Sequence, residues 1–197
     1  APTEVQRRCW PACLAGRDLV CVAPTGSGKT LGYVLPLLER LRTARAAAQR
    51  PAAGRPVALV LVPTRELAQQ VAAACAPMLR LFGIRVEAVH GGDESRPRQL
   101  ARLRGESPPP ALLVATPGRL LDLATEGGGH EGGGDGDGGD GGGDGVLDLS
   151  GVEYFVMDEA DKMLTGGLLE QAEPRRTPRR NPSLSAPSLR TLSIRTL

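Results

Sequence analysis

The chain has 197 residues, with 24 basic and 22 acidic side chains and a net charge of +2. That length suits one domain with a core and is too short for two full ones, and the near-neutral balance excludes a global polycation. No apolar run approaches the ~20 residues needed to cross a bilayer, and four cysteines in otherwise ordinary sequence do not make a disulfide scaffold.

The average conceals three compositions. Of 26 glycines, 13 fall between residues 127 and 145, together with five acidic residues and no basic one. The segment 165–197 holds six arginines against two glutamates. Only the remainder has the composition of a folded domain.

In chain order, Thr3-Glu4-Val5-Gln6 reads as a capping box opening a helix that Gly16 ends. Leu19 to Ala23 is a short buried strand, and a helix follows from Lys29 to about Ala48. Residues 51–56 form a loop. The apolar run Val57–Val62 is expected of a central parallel strand. Thr64 caps a helix to about Phe82, with a kink expected at Pro77. Arg85–Val89 is a weaker strand, and Ser95–Arg104 is a basic helix interrupted near its start by Pro97. Ala111–Ala115 is a strand, followed by Pro117 where a first helical turn tolerates it. Val152–Met157 is the last clear strand. Strands alternating with helices indicate right-handed βαβ units, hence an α/β fold with a parallel sheet flanked by helices.

The stretch Gly127–Gly145 has no apolar surface to bury and is expected to be a disordered insert. Asp135, Asp137 and Asp140 miss the alternating ligand spacing of a calcium loop, so a solvated acidic loop is favoured. The tail 165–197, rich in Pro, Arg and Ser, is expected to be mostly disordered, with weak alternation over Leu189–Leu197. Cys9, Cys13, Cys21 and Cys75 are expected to be reduced and buried. Cys9 and Cys13 stand four apart, as two ligands on one helix face would, but no second pair completes a zinc site. With five aromatic residues, the chain is poorly equipped to read bases by stacking.

Two motifs carry chemistry. Ala23-Pro24-Thr25-Gly26-Ser27-Gly28-Lys29-Thr30 follows an apolar strand and opens a helix, the context a phosphate-binding loop needs. Its glycines let backbone N–H groups converge on an anion, at the positive end of a helix. Lys29 is expected to reach the β- and γ-phosphates, and the Thr30 hydroxyl to bind Mg²⁺. The strict pattern has glycine where this chain has Ala23. Asp158-Glu159-Ala160-Asp161 ends the last apolar strand with carboxylates, where ligands gather in open parallel sheets. Asp158 is expected to hold Mg²⁺ and Glu159 to polarise the attacking water. Acidic residues at a helix start also serve its dipole, so this second motif gains weight only beside the first.

These residues resemble the first RecA-like domain of a DEAD-box RNA helicase. The likeness covers residues 1–164, the glycine loop excepted. Six motifs stand in family order: Pro2-Thr3 with Gln6, Ala23–Thr30, Pro63-Thr64-Arg65-Glu66-Leu67-Ala68, Gly91-Gly92, Thr116-Pro117-Gly118-Arg119, and Asp158–Asp161. The resemblance implies ATP-dependent RNA helicase activity in the complete protein. ATP is then the nucleotide, Gln6 reads the adenine edge, and Thr25, Gly26, Ser27, Gly28, Lys29 and Thr30 form its phosphate cradle. Gln6 is equally the side-chain half of the capping box, and the two roles are compatible. The aromatic that the family places upstream has no counterpart. Pro63, Thr64, Arg65, Gly91, Gly92, Thr116, Pro117, Gly118 and Arg119 are implied to touch the RNA sugar–phosphate backbone, without base identity. Taken singly, the threonines also read as plain helix caps and the glycines as a turn; the set carries the RNA reading. Arg96, Arg98, Arg102 and Arg104 are read as a solvated basic face.

After Leu164 the likeness fades. The family's Ser-Ala-Thr motif is absent, and Ser193-Ile194-Arg195, at about the right place, does not reproduce it. In the family that strand lies between the P-loop strand and the acidic-motif strand, so the sheet is expected to lack a central member. The second domain, with its arginines, is also absent from these residues. The alternative is thus a truncated ATP- and RNA-binding fragment without helicase activity, and a P-loop ATPase acting on DNA is a third reading. No membrane is implied. The compartment is unassigned, nuclear or cytoplasmic being only the family default.

Overall fold

The computed structural model describes residues 1–46, 53–92, 94–105, 108–124, 147–165 and 190–196. The Gly127–Gly145 insert and residues 166–189 of the tail lie outside them. In chain order the elements are α1 (Glu4–Leu14), β1 (Leu19–Ala23), α2 (Lys29–Ala46), β2 (Ala58–Leu61), α3 (Arg65–Leu81), β3 (Val86–Val89), α4 (Arg96–Gly105), β4 (Leu112–Ala115), α5 (Pro117–Ala124), β5 (Tyr154–Met157), α6 (Ala160–Thr165) and β6 (Arg190–Thr196).

Alternation along the buried strands sorts the core into two layers. Ala58 and Val60 of β2, Leu112 and Val114 of β4, and Val156 of β5 pack with Tyr33, Val34 and Leu37 of α2 and Val71, Cys75 and Leu79 of α3. Leu59, Leu61, Leu113 and Ala115 pack on the opposite side with Leu103 of α4, Leu120 and Leu123 of α5 and Met163 of α6. The continuous apolar runs of β2 and β4 are thus what a strand covered on both faces requires.

The sheet order is β1-β6-β5-β2-β4-β3, and every pairing is parallel. The place between the P-loop strand and the acidic-motif strand is therefore filled. β6 pairs both neighbours, with Leu192 level with Leu19 and with Val156, and Ile194 level with Cys21. The expectation of a missing central strand is corrected here; of the tail expected to be mostly disordered, residues 190–196 form a strand, and 166–189 lie outside the described residues. The alternation Leu192, Ile194 against Thr191, Ser193 and Arg195 is short, and the Pro- and Arg-rich residues before it mask it. Backbone pairing on two sides supplies what local sequence does not.

Three smaller expectations also change. β1 is an edge strand, and Val20 and Val22 are 62% and 49% exposed, so it is covered on one face only among the described residues. Pro97 does not interrupt α4, because the helix begins at Arg96 and the proline sits in its first turn. Of the cysteines, Cys9 and Cys75 are buried while Cys13 and Cys21 are half-buried. Burial, with the Cys21 thiol adjacent, pushes the Cys9 thiol up to about 12, which keeps it protonated and unreactive. Between α5 and β5 the chain returns to where it left, since the Leu147 N–H donates to the Leu123 carbonyl at 2.9 Å.

If β6 holds the sheet, Ile194→Pro removes a donor from its ladder and is expected to lower stability by about 1–3 kcal/mol. The urea midpoint measures this, and an unchanged midpoint would show that the strand does not hold the sheet.

Candidate active site

The loop from β1 to α2 takes a conformation that its glycines permit. Gly26 and Gly28 have φ of +75° and +87°, a region side chains resist. Gly28 is also crowded, since a Cβ there would lie 2.6 Å from Gln6 Nε2. Gln6 is buried and serves two partners. Its Oε1 accepts the Thr3 N–H at 3.0 Å, completing the capping box, and its Nε2 donates to the Gly28 carbonyl at 3.1 Å. The start of α1 is thereby tied to the phosphate-binding loop, and the Trp10 indole N–H adds a bond from α1 to the Leu31 carbonyl of α2.

Lys29 is folded back on its own loop. Nζ donates to the Ala23 and Pro24 carbonyls at 2.7 and 2.8 Å, and the side chain is buried. Thr25 and Gly26 are exposed, Thr30 is half-buried, and the buried Ser27 Oγ has no hydrogen-bond partner.

Asp158 follows β5, and its backbone N–H donates to the Leu61 carbonyl of β2 at 2.9 Å. Its carboxylate is buried, with Oδ1 accepting the Glu159 N–H at 3.0 Å and Oδ2 accepting the Tyr33 hydroxyl at 3.0 Å. Burial raises the Asp158 pKa above the usual carboxylate range, while the bonds from Tyr33 and Glu159 and the nearby Lys29 charge act against it. Burial and the Asp158 charge hold the Tyr33 phenol well above its ordinary pKa, so it remains a donor. Glu159 has φ +53°, a left-handed conformation costing a residue with a side chain on the order of 1 kcal/mol. Its Oε2 pairs with Lys162 Nζ at 2.9 Å.

The remaining motif residues stand at the ends of β2, β4 and β3. Exposed Thr64 caps α3, its hydroxyl accepting the Leu67 N–H at 3.2 Å. Half-buried Pro63 precedes it. Arg65 pairs with Glu66 at 2.6 Å, and its guanidinium lies against Gly92, where a Cβ would meet Nη1 at 2.9 Å. Gly92 has φ +118°. Pro117 is buried at the first position of α5, Gly118 is exposed, and Thr116 precedes them with its N–H bonded to the Val89 carbonyl of β3. Arg119 reaches the Glu94 carbonyl at 3.4 Å and Asp122 at 3.8 Å. Two of the three segments thus touch directly, and all three share one sheet edge.

Sequence reasoning missed Tyr33 and Gln99. Tyr33 stands three and four residues after Thr30 and Lys29, a spacing that puts a polar atom on the same helix face. Gln99 is fully buried in α4 and donates to the His90 carbonyl at 2.8 Å, fixing the base of the Gly91-Gly92 turn. The basic-face reading of α4 fails for Arg102, which pairs with Glu87 at 2.9 Å and Glu94 at 2.8 Å.

The sequence model described as DEAD/DEAH box helicase matches residues 3–186, most of the chain. The chain belongs to this family. An ATP-dependent RNA helicase DBP3 of Mycosarcoma maydis is 41% identical over 170 residues, covering 84% of this chain and 26% of that protein. An ATP-dependent RNA helicase DBP2 of Encephalitozoon cuniculi is 38% identical over 172 residues, with 86% and 29% covered. The crystal structure of the RNA helicase Prp28 from Chaetomium thermophilum bound to ADP superposes on the whole chain with a TM-score of 0.68 at 30% identity, over 39% of its own length. The fold is therefore the RecA-like helicase domain, and the chain spans about a quarter to two-fifths of these relatives.

Gly28→Ala places a methyl group against Gln6 at an unfavourable φ. We expect at least a tenfold loss of affinity for a fluorescent ATP analogue, with destabilisation of about 1 kcal/mol. Retention of wild-type affinity would show that the loop does not need this conformation.

Proposed function

We propose that this chain is the ATP-binding, RNA-contacting half of an ATP-dependent RNA helicase. The observation that carries this reading is the meeting of the Gly26–Thr30 loop and Asp158 at the same sheet edge, through Tyr33 of α2, beside two helix starts and a Gly-Gly turn suited to phosphates. The names of the relatives support RNA as the polymer. The truncated-fragment reading rested on the absent Ser-Ala-Thr motif, a lost central strand and the absent second domain; with β6 in that place the strand no longer supports it.

In this reading nucleotide binding is an exchange. Lys29 leaves the Ala23 and Pro24 carbonyls for the β- and γ-phosphates, while loop N–H groups and the α2 N-terminus meet the remaining oxygens. Gln6 uses one N–H and one lone pair internally. One of each is left, the set an adenine N6/N7 edge requires.

Thr30 and Asp158 fit Mg²⁺ as hard oxygen donors, and the Asp158 carboxylate, whose charge burial disfavours, is a group that a cation would satisfy. Bound there, Mg²⁺ neutralises charge on the phosphates. Glu159, its backbone held by Asp158, orients and deprotonates the attacking water.

Thr64, Arg65, Gly91, Gly92 and Thr116–Arg119 bind successive RNA phosphates through N–H groups and guanidinium, without reading bases. Pro63 and Pro117 set the two turns. The unit extends beyond residues 1–164 to include β6, with 127–145 as an insert.

In the complete protein Lys29→Ala is expected to reduce ATP turnover at least a hundredfold. Unchanged turnover would overturn the nucleotide assignment. Arg65→Ala and Arg119→Ala are each expected to weaken RNA binding equally across sequences and to lower the log–log salt slope by about 0.7. Sequence-dependent losses, or stimulation by duplex DNA and not by RNA, would overturn the RNA assignment.

A further inference from the structure

Tyr33 is 1% exposed, within the apolar layer between α2, α3 and the sheet. A buried phenol needs a partner for its hydroxyl, and that need is all a packing role requires. The partner here is specific. The hydroxyl donates to Asp158 Oδ2, 125 residues away in sequence, at 3.0 Å, and Thr30 stands one helical turn before Tyr33 in α2. Asp158 Oδ1 is fixed separately by the Glu159 N–H. Each carboxylate oxygen therefore has one fixed donor and retains a free lone pair. Removing the hydroxyl would leave Oδ2 with no side-chain donor and free the carboxylate to rotate about its bond to the chain.

We propose that Tyr33 is a positioning residue for the cation site, its hydroxyl fixing the Asp158 carboxylate in one preset orientation. This rests on the nucleotide-site reading above. Partners of this kind, which orient a ligating carboxylate without touching the ion, typically govern metal affinity by about 10- to 100-fold.

The test uses the complete protein and binding of a fluorescent ATP analogue across a magnesium series, with a chelator-treated baseline. Tyr33→Phe keeps the ring and its packing. We expect the half-saturating magnesium concentration to rise about tenfold, binding without magnesium to stay within twofold of wild type, and turnover to recover largely at high magnesium. Val34→Ala, an equally buried neighbour in α2 with no hydroxyl to offer Asp158, separates this from packing. An unchanged magnesium requirement in Tyr33→Phe, or an equal rise in Val34→Ala, would overturn the proposal. Absence of magnesium-dependent nucleotide binding in the wild type would instead overturn the nucleotide-site reading.

Discussion

Every strand of this sheet runs in the same direction, and the rest of the structure follows from that constraint. Parallel strands leave the sheet at one edge, so the helices that follow them all begin there, with their unsatisfied N–H groups and positive dipole ends. Strand order then decides which motifs become neighbours. β1, β6 and β5 bring the phosphate-binding loop and Asp158 to one half of the edge, and β2, β4 and β3 bring Thr64, Thr116 and Gly91-Gly92 to the other. The halves abut at β5 and β2, where the Asp158 N–H is bonded to Leu61, three residues before Thr64. The acidic motif is therefore bonded directly to the strand that leads to Thr64.

The polar groups of the site are largely satisfied from within. Lys29 uses carbonyls of its own loop, Gln6 uses Thr3 and Gly28, and Asp158 uses Tyr33 and the Glu159 amide. Buried polar groups left unpaired are costly, so this arrangement keeps the domain intact without a ligand. It also means that affinity reflects the difference between two sets of bonds.

Much of the site was legible because its requirements are local. Gly26, Gly28, Lys29 and Thr30 are adjacent, and the backbone conformation they need is written in the glycines. The Thr3–Gln6 capping box and the Thr64 cap are likewise contained within four residues. What escaped depends on contacts distant in sequence. Nothing near Tyr33 announces Asp158, and nothing near Gln99 announces His90. β6 escaped for the same reason, since its pairing with β1 and β5 belongs to the sheet and not to residues 190–196 alone. The exposure of Val20 and Val22 was hidden because an apolar pentapeptide reads the same at an edge as in the middle.

The tie between Leu123 and Leu147 has a consequence for how this domain tolerates change. Because Leu147 is bonded to Leu123, the ends of α5 and of the segment leading to β5 are held together independently of how many residues join them. The spacing of α5 and β5 then does not depend on the length of the connection, and lengthening a connection costs little closure entropy. Selection on that stretch can therefore proceed on its own terms, adding or losing glycine and aspartate without moving α5 relative to β5. The same point is a natural port for grafting a foreign sequence.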